Sequence, residues 1–353
     1  MRHRSIAAIA TLAFGAVLAA ASWAIPATAK SRPRPAGTSK PAAATTAPAF
    51  PTFVHLPADQ AAQPSAADEW WYVVGHLKAH GHRFGYEVMI GSPQAPYALI
   101  SITDKTTGAY YTKSHSYSPD QTSFSTTELD VRTPSATLSG PMDAMRLHAR
   151  LPAGEINLTL SARGPALYNN GTGLMPFLGG TSYYYSLPSL ASRGTLTANN
   201  HTYPVTGESW LDHQWGTWDW STLQKWTWMP LQLSNGDRLN LWDLFAQGRE
   251  LHYATVLRPN GTEEIVAVNP LADGTSGFWT SPATGNRYGT RWIVNIPALD
   301  ASLTVVAQPQ GQEIQWNSWL FKGVYEGASS VTGRYQGKPV TGQAYVEQLG
   351  NWR

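Results

Sequence analysis

From Asp68 onward the chain alternates apolar and polar residues in short runs, and no stretch keeps the 3.6-residue apolar period of a long amphipathic helix. The clearest unit covers residues 228–244, where Leu231 and Leu233 lead into Asn235-Gly236 and Leu239 and Leu241 lead out. Asn and Gly both tolerate the positive φ of a type I′ turn, so this pattern predicts a hairpin. Asn260-Gly261 repeats the device between residues 253–257 and 265–268, and Thr107-Gly108, Gly285-Asn286 and Gln336-Gly337 punctuate other runs. Strands at such regular spacing predict an all-β sandwich or barrel rather than a βαβ fold.

Strand parity sorts the side chains into faces. In the run that opens at Glu69, the residues Glu69, Trp71 and Val73 share one face and Trp70, Tyr72 and Val74 the other. Apolar groups on both sides predict a strand buried on both sides. The run from Glu208 to Trp215 behaves similarly: Glu208, Trp210 and Asp212 point one way, and Leu211, His213 and Trp215 the other.

Composition narrows the function classes. Charged residues are 14% of the 353, against roughly 25% in an ordinary globular chain, and the net charge of +2 is scattered. There is no basic stripe for nucleic acid, so that class of partner is excluded. The 15 Trp and 16 Tyr are the unusual feature. A buried Trp needs a partner for its N–H, so such usage predicts stacked rings or a ring-lined pocket.

The N-terminus carries an export pattern. Arg2, His3 and Arg4 precede an apolar run from Ile6 to about Ile25, and Ala27-Thr28-Ala29 offers a small-residue cleavage site. A signal peptide over residues 1–29 is expected, with periplasmic or secreted destination; membrane contact is expected only through that segment if it stays uncleaved. Residues 30–55 are rich in Pro and Ala and read as a disordered linker. Two folded domains are expected beyond it, over 56–219 and 220–353. With no Cys, neither a lipoprotein anchor nor a disulfide framework is available.

Candidate chemistry concentrates between Trp210 and Trp242, where Trp210, Trp215, Trp218, Trp220, Trp226, Trp228 and Trp242 interleave with Asp212, His213, Asp219 and Asp243. Burial among indoles disfavours a charged carboxylate and raises its pKa, which suits a general acid near neutral pH. The competing account has Asp212 accept hydrogen bonds from indole N–H groups or turn amides and hold a strand crossing. His76, His80 and His82 are spaced as metal ligands can be, but they fall at a hairpin tip around residues 79–81 without a neighbouring Cys or carboxylate, so a solvated loop is expected there. No Gly-rich phosphate loop, nucleophile elbow or Ser-His-Asp signature is present, and no cofactor or metal is expected.

The blocks Glu69-Trp70-Trp71-Tyr72 with Gly75-His76-Leu77, Phe84-Gly85-Tyr86, Ser182-Tyr183-Tyr184-Tyr185-Ser186 and Gly207-Glu208-Ser209-Trp210-Leu211-Asp212-His213-Gln214-Trp215-Gly216 are more specific than any of these patterns. Residues 288–297, Tyr325-Glu326-Gly327, Gly333, Gly342 and Tyr345-Val346-Glu347 continue them in order. Together they resemble the lipocalin-like family of hydroxyneurosporene synthase, the carotenoid 1,2-hydratases, and related bacterial predicted secreted hydrolases. The resemblance implies two lipocalin-like antiparallel β-barrel domains packed together, with the Trp-x-Asp-His strand near their junction. It also implies that Asp212 matches the Asp held to protonate a terminal alkene. Trp210 stands where those proteins usually carry Tyr, and Tyr183-x-Tyr185 where they carry His-x-Trp.

Two readings follow. In one, an enzyme hydrates or rearranges an apolar terpenoid, polyene or lipid-like substrate, with Asp212 as acid, Trp210 and His213 beside it, and Glu69, Trp71, Tyr183, Tyr185 and Trp215 forming the pocket. In the other, the protein is a non-catalytic lipocalin-type lipid carrier or envelope stress protein. Both expect a small apolar ligand as the partner.

Overall fold

Thirteen strands between Asp68 and Thr217 form one antiparallel sheet, and nine strands between Leu223 and Gly350 form a second. The computed structural model describes residues 51–352 apart from Ser92, Asn317, Trp319 and Leu320, so the expected signal peptide and most of the linker lie outside the described residues. Every strand pair is antiparallel, which agrees with the all-β expectation, and the only α-helix among the described residues is the one-turn Leu271–Gly274.

Three apolar layers result from the two faces of each sheet. The first sheet curls around a core that includes Trp71, Val73, Tyr86, Leu211 and Trp215. The second curls around Met229, Leu241, Val294, Leu303 and Val346. The convex backs meet in a third layer drawn from both: Trp70, Tyr72, Val74, Tyr184 and Trp210 on one side, Trp226, Trp228, Trp242, Tyr345 and Leu349 on the other. Both faces of Asp68–Ala79 are therefore buried, as its two-sided apolar pattern predicts.

The backs come into close contact at Gly85, where a Cβ would stand 2.3 Å from that of Ala328 on the opposite sheet. Polar bonds cross the same junction. The Tyr72 hydroxyl donates to Glu326 Oε2 at 2.5 Å, Thr103 Oγ1 donates to Gln312 at 2.8 Å, and Gln232 Nε2 donates to the Pro188 carbonyl at 2.9 Å.

The hairpins at Asn235-Gly236 and Asn260-Gly261 form where expected but not as type I′ turns. Only the glycines take positive φ, at 95° and 86°. Each Asn side chain instead accepts from the backbone N–H two residues on, at 3.1 Å, an Asx turn that keeps the Asn itself out of the left-handed region. Positive φ at both central residues occurs at Asn199-Asn200, 48° and 63°, and at Gln336-Gly337, 52° and 71°. These close the two longest hairpins, Gly180–Ala198 with His201–Thr217 and Gly323–Tyr335 with Lys338–Gly350.

Candidate active site

Asp212 lies on His201–Thr217, in the middle of the junction between the sheets, and is 2% exposed. Its neighbours Leu211 and His213 face the first sheet's own core, whereas Trp210 and Asp212 face the second sheet, which is the alternation the sequence dictates. The Trp210 indole N–H donates to Asp212 Oδ1 at 2.6 Å and the Tyr184 hydroxyl donates to Oδ2 at 2.7 Å. Tyr184 is held in that direction from across the junction: Asn240 Nδ2 donates to its oxygen at 2.8 Å, and Trp228 Nε1 donates to Asn240 Oδ1 at 3.0 Å. A continuous chain of donors thus ends on the carboxyl.

Burial raises the Asp212 pKa to about 7, and bonds from Ser186, Tyr184 and Trp210 work in the opposite direction without cancelling it. Among the described residues no backbone amide contributes. A group in this state holds or releases a proton near neutrality, as a general acid must.

A narrow cavity of about 30 Å³ opens beside the carboxyl, bounded by both sheets. Trp70, Tyr72, Leu99 and Tyr184 line it from the first, and Trp226, Trp228, Trp242 and Glu347 from the second. Rings meet edge-on across and along it, Tyr72 with Trp228 at 5.3 Å and Trp226 with Trp242 at 5.7 Å. Of the lining residues, Met89, Tyr97, Trp220 and Trp316 sit among the partly exposed ones and mark where the cavity meets solvent.

The structure does not gather the remaining sequence-expected site residues around Asp212. His213, Glu69, Trp71, Tyr183, Tyr185 and Trp215 lie on the opposite face of the same sheet, where side chains of the other parity must go. There His213 Nε2 is 2.8 Å from Glu69 Oε1 and Nδ1 is 2.9 Å from the Asp59 carbonyl, with the Trp71 ring stacked on the imidazole at 4.5 Å. Glu69 also accepts from the Gln63 N–H, and Trp71 Nε1 donates to the Gln60 carbonyl at 3.2 Å. This cluster fastens residues 59–63 to the first barrel. Tyr183 stacks on Trp215 at 5.5 Å, and Tyr185 packs edge-on to His213.

Other candidates also separate. Asp219 is exposed and caps a short turn through Ser221. Asp243 lies on the inner side of the second sheet, where it accepts from the Leu271 N–H at 2.9 Å and meets His252 at 2.8 Å. His76 is 3.0 Å from the Ala344 carbonyl, His82 is 3.3 Å from Asp104, and His80 is exposed at the hairpin tip. The residues that the sequence reading passed over are Tyr184, Asn240 and Glu347. Two of them carried a signal, since Tyr184 and Glu347 sit inside motif blocks.

A family profile described as AttH-like matches residues 48–351. The chain belongs to the AttH-like family. This agrees with the hydratase-like lipocalin resemblance read from the motif blocks. Dehydratase asqC of Emericella nidulans is 27% identical over 213 residues, 58% of this chain and 60% of that protein. Kievitone hydratase of Fusarium solani subsp. phaseoli is 25% identical over 206 residues, 56% of this chain and 57% of that protein. This AttH-like chain therefore spans less than two thirds of the length of the curated relatives it matches. The solved structure of a putative AttH from Nitrosomonas europaea has the same fold, with a TM-score of 0.75 at 21% identity, covering 88% of this chain and 100% of that one.

Proposed function

We propose that the protein is an exported hydro-lyase that adds water to, or removes it from, an apolar alkene-bearing substrate of terpenoid or polyene type. The observation that carries this reading is Asp212: a carboxyl buried among indoles, holding its proton to about pH 7, with its face on the inter-sheet cavity. Protonation of an alkene carbon by Asp212 leaves a carbocation, and the faces of Trp226, Trp228 and Trp242 offer it electron-rich surface while excluding bulk water. The names hydratase and dehydratase borne by two relatives support the same reaction class. The cavity has room for one or two waters, so a larger substrate enters by displacing the partly exposed side chains at Met89, Tyr97, Trp220 and Trp316. Apolar side chains pack the interior of the first barrel, which speaks against a calyx-type carrier site there, whereas the second opens on its inner side into a cavity of about 280 Å³.

The test is incubation with kievitone and with an acyclic carotenoid such as neurosporene, followed by mass spectrometry for gain or loss of one water. Turnover by the wild type, reduced roughly 10²–10⁴-fold in folded Asp212→Asn, supports the proposal. Tryptophan quenching by these compounds with no mass change in any of them would make the protein a carrier instead. Cell fractionation tests export, and recovery from the cytoplasm overturns it; intact-mass analysis of the exported chain tests cleavage, where loss of residues 1–29 is expected and retention of Met1 would make the chain membrane-anchored instead.

A further inference from the structure

We propose that Glu347 is a second catalytic carboxyl: of the pair Asp212 and Glu347, one gives a proton to the substrate while the other takes a proton from the attacking water. The proposal rests on the hydro-lyase reading above and specifies how one site completes both halves of the reaction. Asp212 stands on the first sheet and Glu347 on the Lys338–Gly350 strand of the second, and both line the same cavity. Tyr72 lies opposite Asp212 in strand register, Trp228 lies opposite Glu347, and the Tyr72 and Trp228 rings are in contact at 5.3 Å. The carboxyls are therefore separated by little more than one ring pair and the cavity itself.

Nothing basic faces them. Among the described lining residues there is no Lys, Arg or His, so a proton leaving water has only a carboxylate to go to. The groups packed behind reinforce this. Glu326 pairs with Glu347 in strand register, and Glu87 reaches the same junction from the His82–Gly91 strand; both are fully buried. Tyr72, Tyr97, Tyr110, Tyr184 and Tyr345 complete the surroundings and carry no charge near neutrality. Burial holds the Glu87 and Glu326 carboxyls well above the usual range, with the Glu347 charge adding to it. Burial also raises Glu347 to about 8; the Trp226 indole opposes the rise and the Asp212 charge adds to it. Burial thus lifts both carboxyls toward neutrality, where they exchange protons as a coupled pair.

In hydration the O–H bond of the protonated carboxyl breaks and a C–H bond forms at one alkene carbon. The water oxygen bonds to the adjacent carbon, and one of its O–H bonds breaks to protonate the other carboxylate. The pair ends with as many protons as it began with, in exchanged places. In dehydration the sequence runs backward: one carboxyl protonates the departing hydroxyl and the other takes a proton from the neighbouring carbon. One site therefore serves both directions.

The test needs no substrate. Infrared difference spectra of the carboxylic C=O stretch are recorded from pH 5 to 10 for the wild type, Asp212→Asn and Glu347→Gln. Each substitution should remove one titrating band, and Asp212→Asn should lower the Glu347 midpoint by about half a pH unit or more, because the anion that raised it is gone. If Glu347→Gln does not fold, the wild type and Asp212→Asn alone decide. An unchanged Glu347 midpoint in Asp212→Asn, or a Glu347 that titrates in the ordinary carboxylate range in the wild type, overturns the pair and leaves Asp212 as a lone acid. Absence of turnover on alkenes would instead remove the hydro-lyase reading while leaving the measured coupling intact.

Discussion

Asp212→Asn is expected to stabilise the folded protein above neutrality, the reverse of what removing a structural carboxylate does. The folded carboxyl keeps its proton to about pH 7, against 3.8 for an exposed Asp, with burial as the largest cause. Its pKa is raised by folding, so the native state binds this proton more tightly than the unfolded chain does. The stability so conferred is complete below about pH 4 and is lost as pH rises through about 7. At 1.36 kcal/mol per pH unit, that loss is of order 4 kcal/mol. Asn has nearly the same shape and no charge to desolvate. Its amide oxygen can still accept from Trp210, but its NH₂ group faces the Tyr184 hydroxyl, which loses its acceptor at a cost of about 1 kcal/mol. The variant should therefore be about 3 kcal/mol more stable than the wild type at pH 9 and slightly less stable at pH 4. Urea denaturation followed by tryptophan fluorescence, at several pH values between these, measures the difference directly. A variant less stable than the wild type at pH 9 would mean that the Asp212 anion is well solvated by its partners, and the general-acid argument would fail with it.

Two further substitutions separate the faces of the strand. Tyr184→Phe removes a donor that favours the Asp212 anion, so the Asp212 midpoint should move upward by about one to two pH units, read from its infrared carboxyl band; no movement would mean that the hydroxyl does not act on Asp212. His213→Ala breaks a buried pair on the opposite face and should cost about 3–5 kcal/mol in denaturant unfolding, while the protein that remains folded keeps the wild-type Asp212 midpoint. A shifted midpoint with unchanged stability would make His213 part of the acid site after all.

The all-β class, most hairpins and the two-sided burial of Asp68–Ala79 were legible because they depend on local patterns: period-two alternation, turn dipeptides and apolar density on both faces. The junction between the sheets was less so. Alternation says that Trp210 and Asp212 share a face and that His213 takes the other, yet it does not say which face meets the second sheet. Glu347 could be placed opposite Asp212 only once the two backs were packed together, since more than a hundred residues separate them along the chain.

The choice among three consecutive tyrosines shows where local reading stops. The two-residue turn at Asn199-Asn200 pairs Ala198 with His201, and that register continues unbroken as far as Leu190 opposite Ser209. Extended further, it would set Leu187 opposite Asp212, and residues directly opposite share a face, so Tyr183 and Tyr185 would point to the carboxyl. The register instead slips by one between Leu187 and Leu190. Pro188, with no N–H to give to the ladder, lies within that slip, and such a residue is accommodated at a bulge. Beyond it Ser186 stands opposite Asp212, every parity on the Gly180–Ala198 strand is reversed, and Tyr184 is the ring that reaches the acid while Tyr183 and Tyr185 turn into the barrel. The one-residue slip at Pro188-Ser189 thus decides which tyrosine serves the site.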